Sequence, residues 1–434
     1  MSDPITQAVQ AQYEAFPYPP VPSTEPVRGF SSHCSYGMGS YRRNRRLVTT
    51  QGKTALVAGC GTGWELHQVA VTNPGLSQIV GFDLSHKSID LARDRIRHHG
   101  LAYASVQVGN LMDPESIPAG TFDLISAYGV LHHTADPAKA LHHLASRLAP
   151  DGILGVMIYN RAGRMIIYRI RKALDMLGIR QLPQEQQIEF IKTFLASAQP
   201  EAAMLHGHAK GNRAYYQYVE NIVDNFLHEQ DIPYDIAEIS DYLAQAGLKF
   251  LDVAPTENYW QVDQIISTSN LDFYQRYHQL SRLEQLTLLE QLNPTAQTQN
   301  VFWATPIGSP DPEPSFDQPF DAEFVQGSRW QLNPLLVEHG ILGVGDKQIP
   351  LRKLCLEPES ELISMHRLSL TWSPIPNPRH QIAITRKQLQ TLLLPMGDAP
   401  VAGEVLLQGL DPQDAAHGVD LLRQWESLWM VMRA

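Results

Sequence analysis

Three sets of residues in this chain are spaced so that they could do chemistry together. The first is Gly59-Cys60-Gly61-Thr62-Gly63, a stretch of backbone bare enough for a ligand to approach closely. The second is Asp83, 83 − 63 = 20 residues past the last glycine, where a carboxylate can accept hydrogen bonds from both hydroxyls of a ribose. The third is His132-His133, side chains that can take up a proton near neutral pH. Each has a plainer reading. The glycines could serve a tight turn, Asp83 could be a charge at a helix N-terminus, and the histidines could be packed or capping residues. The glycine loop and Asp83 together favour a nucleoside ligand. A dinucleotide fingerprint needs a third glycine at the sixth position, and Trp64 stands there. The loop therefore fits a nucleoside cofactor without a pyrophosphate better than NAD.

Positioning these residues requires a particular run of elements. Thr54 to Ala58 reads as an apolar strand that ends in the glycine loop, and residues 64–72 read as a helix. Gln78 to Phe82 is a second strand, closed by Asp83. Ser85 caps the next helix, and Gly100 stands at its stop. Ser105 to Val108, Phe122 to Ala127 and Ile153 to Tyr159 read as strands three to five, the last following a turn at Pro150-Asp151-Gly152. Asp136-Pro137 opens a helix between the fourth and fifth strands. Asp235 and Glu238 form a capping box for a helix ending at Gly247, followed by a sixth strand, Leu248 to Val253. Helical periodicity covers roughly 270–292, and Val301 to Ala304 reads as the last strand. Strand and helix alternating at this spacing make a parallel sheet with helices on both faces.

In these residues the chain resembles the class I S-adenosylmethionine-dependent methyltransferases. The matches are the glycine loop, Phe82-Asp83-Leu84-Ser85, Phe122-Asp123-Leu124-Ile125, Gly129-Val130-Leu131-His132-His133 and Leu148-Ala149-Pro150-Asp151-Gly152, within residues 53–160. The resemblance implies a Rossmann-like seven-stranded sheet whose last strand runs antiparallel. It places S-adenosylmethionine over the carboxyl ends of the first four strands. Cofactor contacts then fall on Tyr13, Gly59, Cys60, Gly61, Gly63, Asp83, Leu84, Asn110, Leu111 and Tyr128. Where the family often has Asp after strand three, this chain has Asn110, whose carbonyl can still accept a bond from the adenine amino group. Methyl transfer needs alignment, exclusion of water and removal of a proton from some acceptors. His132, His133 and Tyr159 are the candidates for that work, and Asn160 could orient an acceptor.

Outside the core, Tyr13-Glu14-Ala15-Phe16-Pro17-Tyr18-Pro19 resembles a segment that folds over cofactor or acceptor in some of these enzymes. The same stretch could equally be a strap packed on the sheet. Residues 23–40 read as loop, and Arg42, Arg43, Arg45 and Arg46 read as a solvated helix face. Residues 160–234 read as a helical insert after strand five. Within it, Asp224 and His228 are four apart, a polar acceptor site or a surface pair. His206-Gly207-His208 reads as loop, and no metal site is expected. Domains are expected at 1–52 (strap or lid), 53–304 (methyltransferase), 305–318 (linker) and 319–434 (a small mixed α/β accessory domain).

The 434 residues carry 34 Lys and Arg against 45 Asp and Glu, a net charge of −11, which disfavours a general nucleic-acid binder. Three cysteines in no CxxC pair argue against a disulfide framework, and Met1-Ser2-Asp3-Pro4 does not open like a signal peptide. A cytoplasmic enzyme away from membranes is expected. Its acceptor is a protein side chain or a small molecule, methylated at N, O or C. The asparagine methyltransferases of phycobiliprotein subunits are one protein-directed option, although the Asn-Pro-Pro-Tyr motif of other amide methyltransferases is absent after strand four. The 319–434 region could support a homodimer or dock a partner. The competing class is a non-catalytic assembly protein that keeps the cofactor fold.

Overall fold

A computed structural model describes residues 3–28, 30–46, 48–254, 262, 265–267, 269–294, 298–309, 321–333, 341–344, 347–350, 368–371, 381–384, 394–396, 399–408, 412–427 and 431–434. They divide into two compact units. One comprises residues 1–28, 33–36 and 50–310, and the other 29–32, 37–49 and 311–434.

The first unit is built on seven strands: β1 (Thr54–Ala58), β2 (Gln78–Asp83), β3 (Ala104–Val108), β4 (Phe122–Tyr128), β5 (Leu148–Tyr159), β6 (Leu248–Val253) and β7 (Gln299–Pro306). Their order is β3-β2-β1-β4-β5-β7-β6, with β7 antiparallel to both neighbours. The central strands are near-continuous apolar runs because both faces are covered. Ala55 to Ala58 and Phe302 to Ala304 are all buried. A polar clamp starts the sheet: Asp123 on β4 accepts from the Thr54 amide at 2.9 Å and pairs with Lys53 at 2.8 Å. β5 begins earlier than the sequence suggests. Residues 149–152 lie between Leu148, paired with Phe122, and Ile153, paired with Leu124, so the expected turn is an irregular bulge inside the strand.

Helices α1 (Pro4–Ala15), α3 (Trp64–Thr72), α4 (His86–His98) and α5 (Pro137–Ala145) come first in this unit, while α2 (Tyr36–Asn44) belongs from residue 37 onward to the other. The insert after β5 carries α6 (Met165–Met176), α7 (Gln184–Ala196), α8 (Ala203–Gly211) and the short α9 (Val219–Ile222), which runs into a π-helical turn at Val223–Leu227. Ile167, Ile170, Leu174, Ile191, Ile222 and Phe226 give the insert a core of its own. His206 and His208 therefore lie on α8, not in a loop. Helices α10 (Ile236–Gln245), α11 (Leu271–Tyr277) and α12 (Arg282–Leu292) complete this unit, and α10 starts with the expected Asp235–Glu238 capping box. Among the described residues no helix is long and apolar enough to cross a membrane.

In the second unit, β10 (Lys347–Pro350), β9 (Ile341–Val344), β11 (Leu368–Thr371) and β12 (Gln381–Ile384) form one antiparallel sheet, and β13 (Val401–Ala402), β8 (Arg329–Leu332) and β14 (Val431–Arg433) form another. Two expectations fail here. Residues 32–44 are a 3₁₀ turn at Ser32–Cys34 followed by α2, not loop. The arginine cluster is a solvated face only in part, because Arg46 is exposed while Arg42 and Arg43 are half-buried. Arg45 is buried and pairs with buried Glu426 at 3.4 Å, and Glu426 also accepts from the Tyr41 hydroxyl at 2.6 Å.

Candidate active site

The glycine loop opens β1 onto a cavity of about 370 Å³ at the carboxyl end of the sheet. Gly61 has φ +49°, and a Cβ there would stand 2.3 Å from the Tyr18 carbonyl oxygen. The N-terminal strap crosses the loop at that point. The Thr62 amide donates to the Tyr18 carbonyl at 3.1 Å, and its hydroxyl donates to the Pro19 carbonyl at 2.9 Å. Gly63, φ +83°, lets α4 approach so closely that a Cβ would meet Ala92 Cα at 2.9 Å. Close helix packing, the task of the third glycine in a dinucleotide site, falls here to Gly63.

Arg95 on α4 fastens the strap. It is fully buried and donates to the carbonyls of Val21, Pro22, Glu25 and Thr62. Glu14 accepts from the first amides of α4, His86 and Lys87, and Gln10 donates to the Leu84 carbonyl. The segment carrying Tyr13 and Tyr18 is thus both a strap and one wall of the cavity.

Asp83 lines the cavity at the end of β2. Its oxygens accept from the amides of Gly61 and Ser85, each at 2.9 Å. Burial raises its pKa, and those amide bonds hold it back. Each oxygen keeps a lone pair for further donors. Leu84, Leu111 and Asn110 line the same stretch of wall. The Asn110 carbonyl already accepts from the Met112 amide at 2.9 Å, with one lone pair to spare. Gly59, Cys60 and Tyr128 also line the cavity, whereas Gly63 does not and acts through packing.

The other end of the cavity is a polar cluster. Asp224 is buried in the π-helical turn. It accepts from the Tyr159 hydroxyl at 3.0 Å and from the Tyr13 hydroxyl at 3.5 Å, and His133 Nε2 stands 4.0 Å away. His228, also buried, stacks on His133 with ring centres 3.8 Å apart. Backbone bonds from one residue fix both tautomers. His133 Nδ1 faces the Gln230 carbonyl at 2.7 Å and so must carry hydrogen, which leaves Nε2 a bare lone pair. His228 Nδ1 accepts from the Gln230 amide at 3.1 Å, so its hydrogen is on Nε2 and points to the Tyr13 hydroxyl at 3.2 Å. Burial lowers the His133 pKa, and Asp224 opposes the shift. Burial also raises the Tyr13 and Tyr159 phenols well above their ordinary value, so both stay protonated. His133, Asp224 and His228 lie close enough to surround a metal ion, yet both nitrogens of His228 are already committed.

Two expected residues fall elsewhere. His132 is fully buried beside Tyr159, does not line the cavity, and neither ring nitrogen finds a hydrogen-bond partner among the described residues. Asn160 is also walled off, bonding Glu290 and Asn300 across the sheet edge. No motif marked Arg164, which lines the cavity as Tyr215 of the insert does, or the pairing of His33 with Glu65 at 3.2 Å in its wall. Position was the available signal for Arg164, which lies five residues beyond β5 in the turn over the carboxyl end of the sheet.

A seven-stranded sheet with an antiparallel seventh strand, a glycine loop after β1 and a carboxylate ending β2 define a class of nucleoside-cofactor enzymes. The comparisons name it. A family model described as "Methyltransferase domain" matches residues 56–154. An uncharacterized protein of Synechococcus sp. is 30% identical over 297 residues, covering 68% of this chain and 70% of that one. The ubiquinone biosynthesis O-methyltransferase of Marinobacter nauticus is 27% identical over 148 residues, 33% of this chain and 60% of that enzyme. In fold, the chain is similar to PKMT2 from Rickettsia typhi, with TM-score 0.60 and 16% identity over 94% of this chain and 76% of that one. The chain belongs to the class I S-adenosylmethionine-dependent methyltransferases. It is an enzyme that transfers a methyl group from S-adenosylmethionine to an acceptor.

Proposed function

We propose that the acceptor is an O–H or N–H nucleophile that gives up its proton to His133 Nε2. The observation carrying this reading is the bare Nε2 lone pair, fixed by the Gln230 carbonyl, in the same cavity as Asp83. Asp83 holds the ribose hydroxyls, with Leu84, Asn110 and Leu111 around the adenine. Gly59, Cys60, Gly61 and Tyr128 line the path toward the methionine end. Bound S-adenosylmethionine supplies an electrophilic methyl on a sulfonium. Tyr13 and Tyr159 orient Asp224, and Asp224 stabilises the imidazolium that forms when His133 accepts the proton.

Transfer of radiolabelled methyl into a cell extract tests this and shows whether the acceptor is a protein band or a small metabolite. Asp224→Asn should slow transfer by about 10²-fold, the lower range for acid–base catalysis, while binding S-adenosylhomocysteine as before. Unchanged transfer overturns the assignment. We also propose that the 319–434 region docks a partner or a second copy of the chain. A monomeric mass by light scattering removes the second option. The described cysteines, Cys34 and Cys60, are buried and in no disulfide, which supports a reducing cytoplasmic setting. Cell fractionation that finds the protein elsewhere contradicts it.

A further inference from the structure

Arg164 closes the turn after β5 and directly precedes α6. Its side chain is 5% exposed, and it lines the cavity. A guanidinium has five N–H donors and no acceptor. One terminal nitrogen donates to Asp231 at 3.2 Å, and the guanidinium face lies 3.3 Å from the centre of the Tyr159 ring. The Nε hydrogen has no partner among the described residues. A charged donor buried without a partner is costly, and native proteins rarely leave one so.

Asp231 is not held by Arg164 alone. Asp231 serves two guanidiniums, Arg164 and Arg171, and also accepts from the Tyr168 hydroxyl. Asp224, the next carboxylate, accepts from Tyr159 and Tyr13. Helix α6 has no acidic residue in its first turn and no side-chain cap, so the positive end of its dipole is uncompensated by its own sequence.

We propose that Arg164 is the carboxylate anchor of the methyl-transfer cavity, taking a ligand carboxylate on its free Nε edge beside Tyr159. This rests on the cavity holding cofactor and acceptor together. The carboxylate comes either from the amino-acid end of the cofactor or from the acceptor. Arginine suits the role because its planar fork matches a carboxylate.

Calorimetry on the full chain distinguishes the sources. The ligands are S-adenosylhomocysteine, 5′-methylthioadenosine (which lacks the amino-acid end) and, on protein loaded with S-adenosylhomocysteine, benzoate. If the cofactor brings the carboxylate, Arg164→Gln weakens S-adenosylhomocysteine roughly tenfold or more and leaves 5′-methylthioadenosine unchanged. If the acceptor brings it, both nucleosides bind the variant normally and benzoate binding is lost. Arg164→Lys keeps the charge against Asp231 but removes the fork. It should show the same selective loss to a smaller degree, and it serves where the glutamine variant does not fold. Equal weakening of both nucleosides would make Arg164 a packing residue and overturn the anchor. So would no response from any of the three ligands. Failure of the wild type to bind S-adenosylhomocysteine removes the cofactor reading itself, and the anchor with it.

Discussion

At the residue scale, the two histidines of one dipeptide have opposite fates. His133 reaches the cavity with a fixed lone pair, and His132 is sealed behind it against Tyr159. Sequence marked both equally, because which ring turns inward depends on Gln230, far along the chain. The pH dependence follows from burial. His133 titrates below the ordinary imidazole value, so it remains an unprotonated base through mildly acidic pH. The acid limb of the rate profile should therefore lie below pH ~6.5. Asp224 pushes the His133 pKa up, so removing its charge should move the limb further down. Initial rates against pH for wild type and Asp224→Asn check both points. A limb that moves upward in the variant contradicts the pairing.

At the element scale, the core sheet and glycine loop were legible because their cues are local. Buried parallel strands are short apolar runs, and the loop's glycines and Asp83 sit at fixed offsets. Long-range partners were not legible. The Arg42–Arg46 run has the composition of a solvated face, yet Glu426, 385 positions from Tyr41, draws Tyr41 and Arg45 into a buried network. The strap presents the same problem, since Arg95 looks like one more cation on α4 until its four carbonyl partners arrive from elsewhere. Arg95→Met should free residues 21–25, expose them to limited proteolysis and weaken S-adenosylhomocysteine, because Tyr18 then loses its hold on the glycine loop. Unchanged proteolysis and unchanged affinity would show that Arg95 does not fasten the strap.

At the scale of the whole molecule, the buried histidines tie stability to pH. Burial lowers His132, His133 and His228, and pushes His67 down to about 4. The unfolded chain takes up these protons near pH ~6.5, and the folded chain only below its depressed values. Stability from this source is complete above pH ~6.5 and is lost as pH falls toward the folded-state values. Each such histidine contributes a slope of up to about 1.4 kcal/mol per pH unit. Denaturant unfolding between pH 7 and 4.5 should show this loss, and a flat profile would mean that these rings are solvated.

We propose that one cavity, anchored by Asp83, holds the nucleoside of S-adenosylmethionine. Calorimetric titration of wild type and Asp83→Ala with S-adenosylhomocysteine tests it most directly. Wild type should bind at micromolar concentration with one site per chain. The variant should lose about 1–3 kcal/mol, the worth of hydrogen bonds to a charged acceptor. Equal affinity in the two proteins, or no binding to the wild type, would show that Asp83 does not hold the ribose.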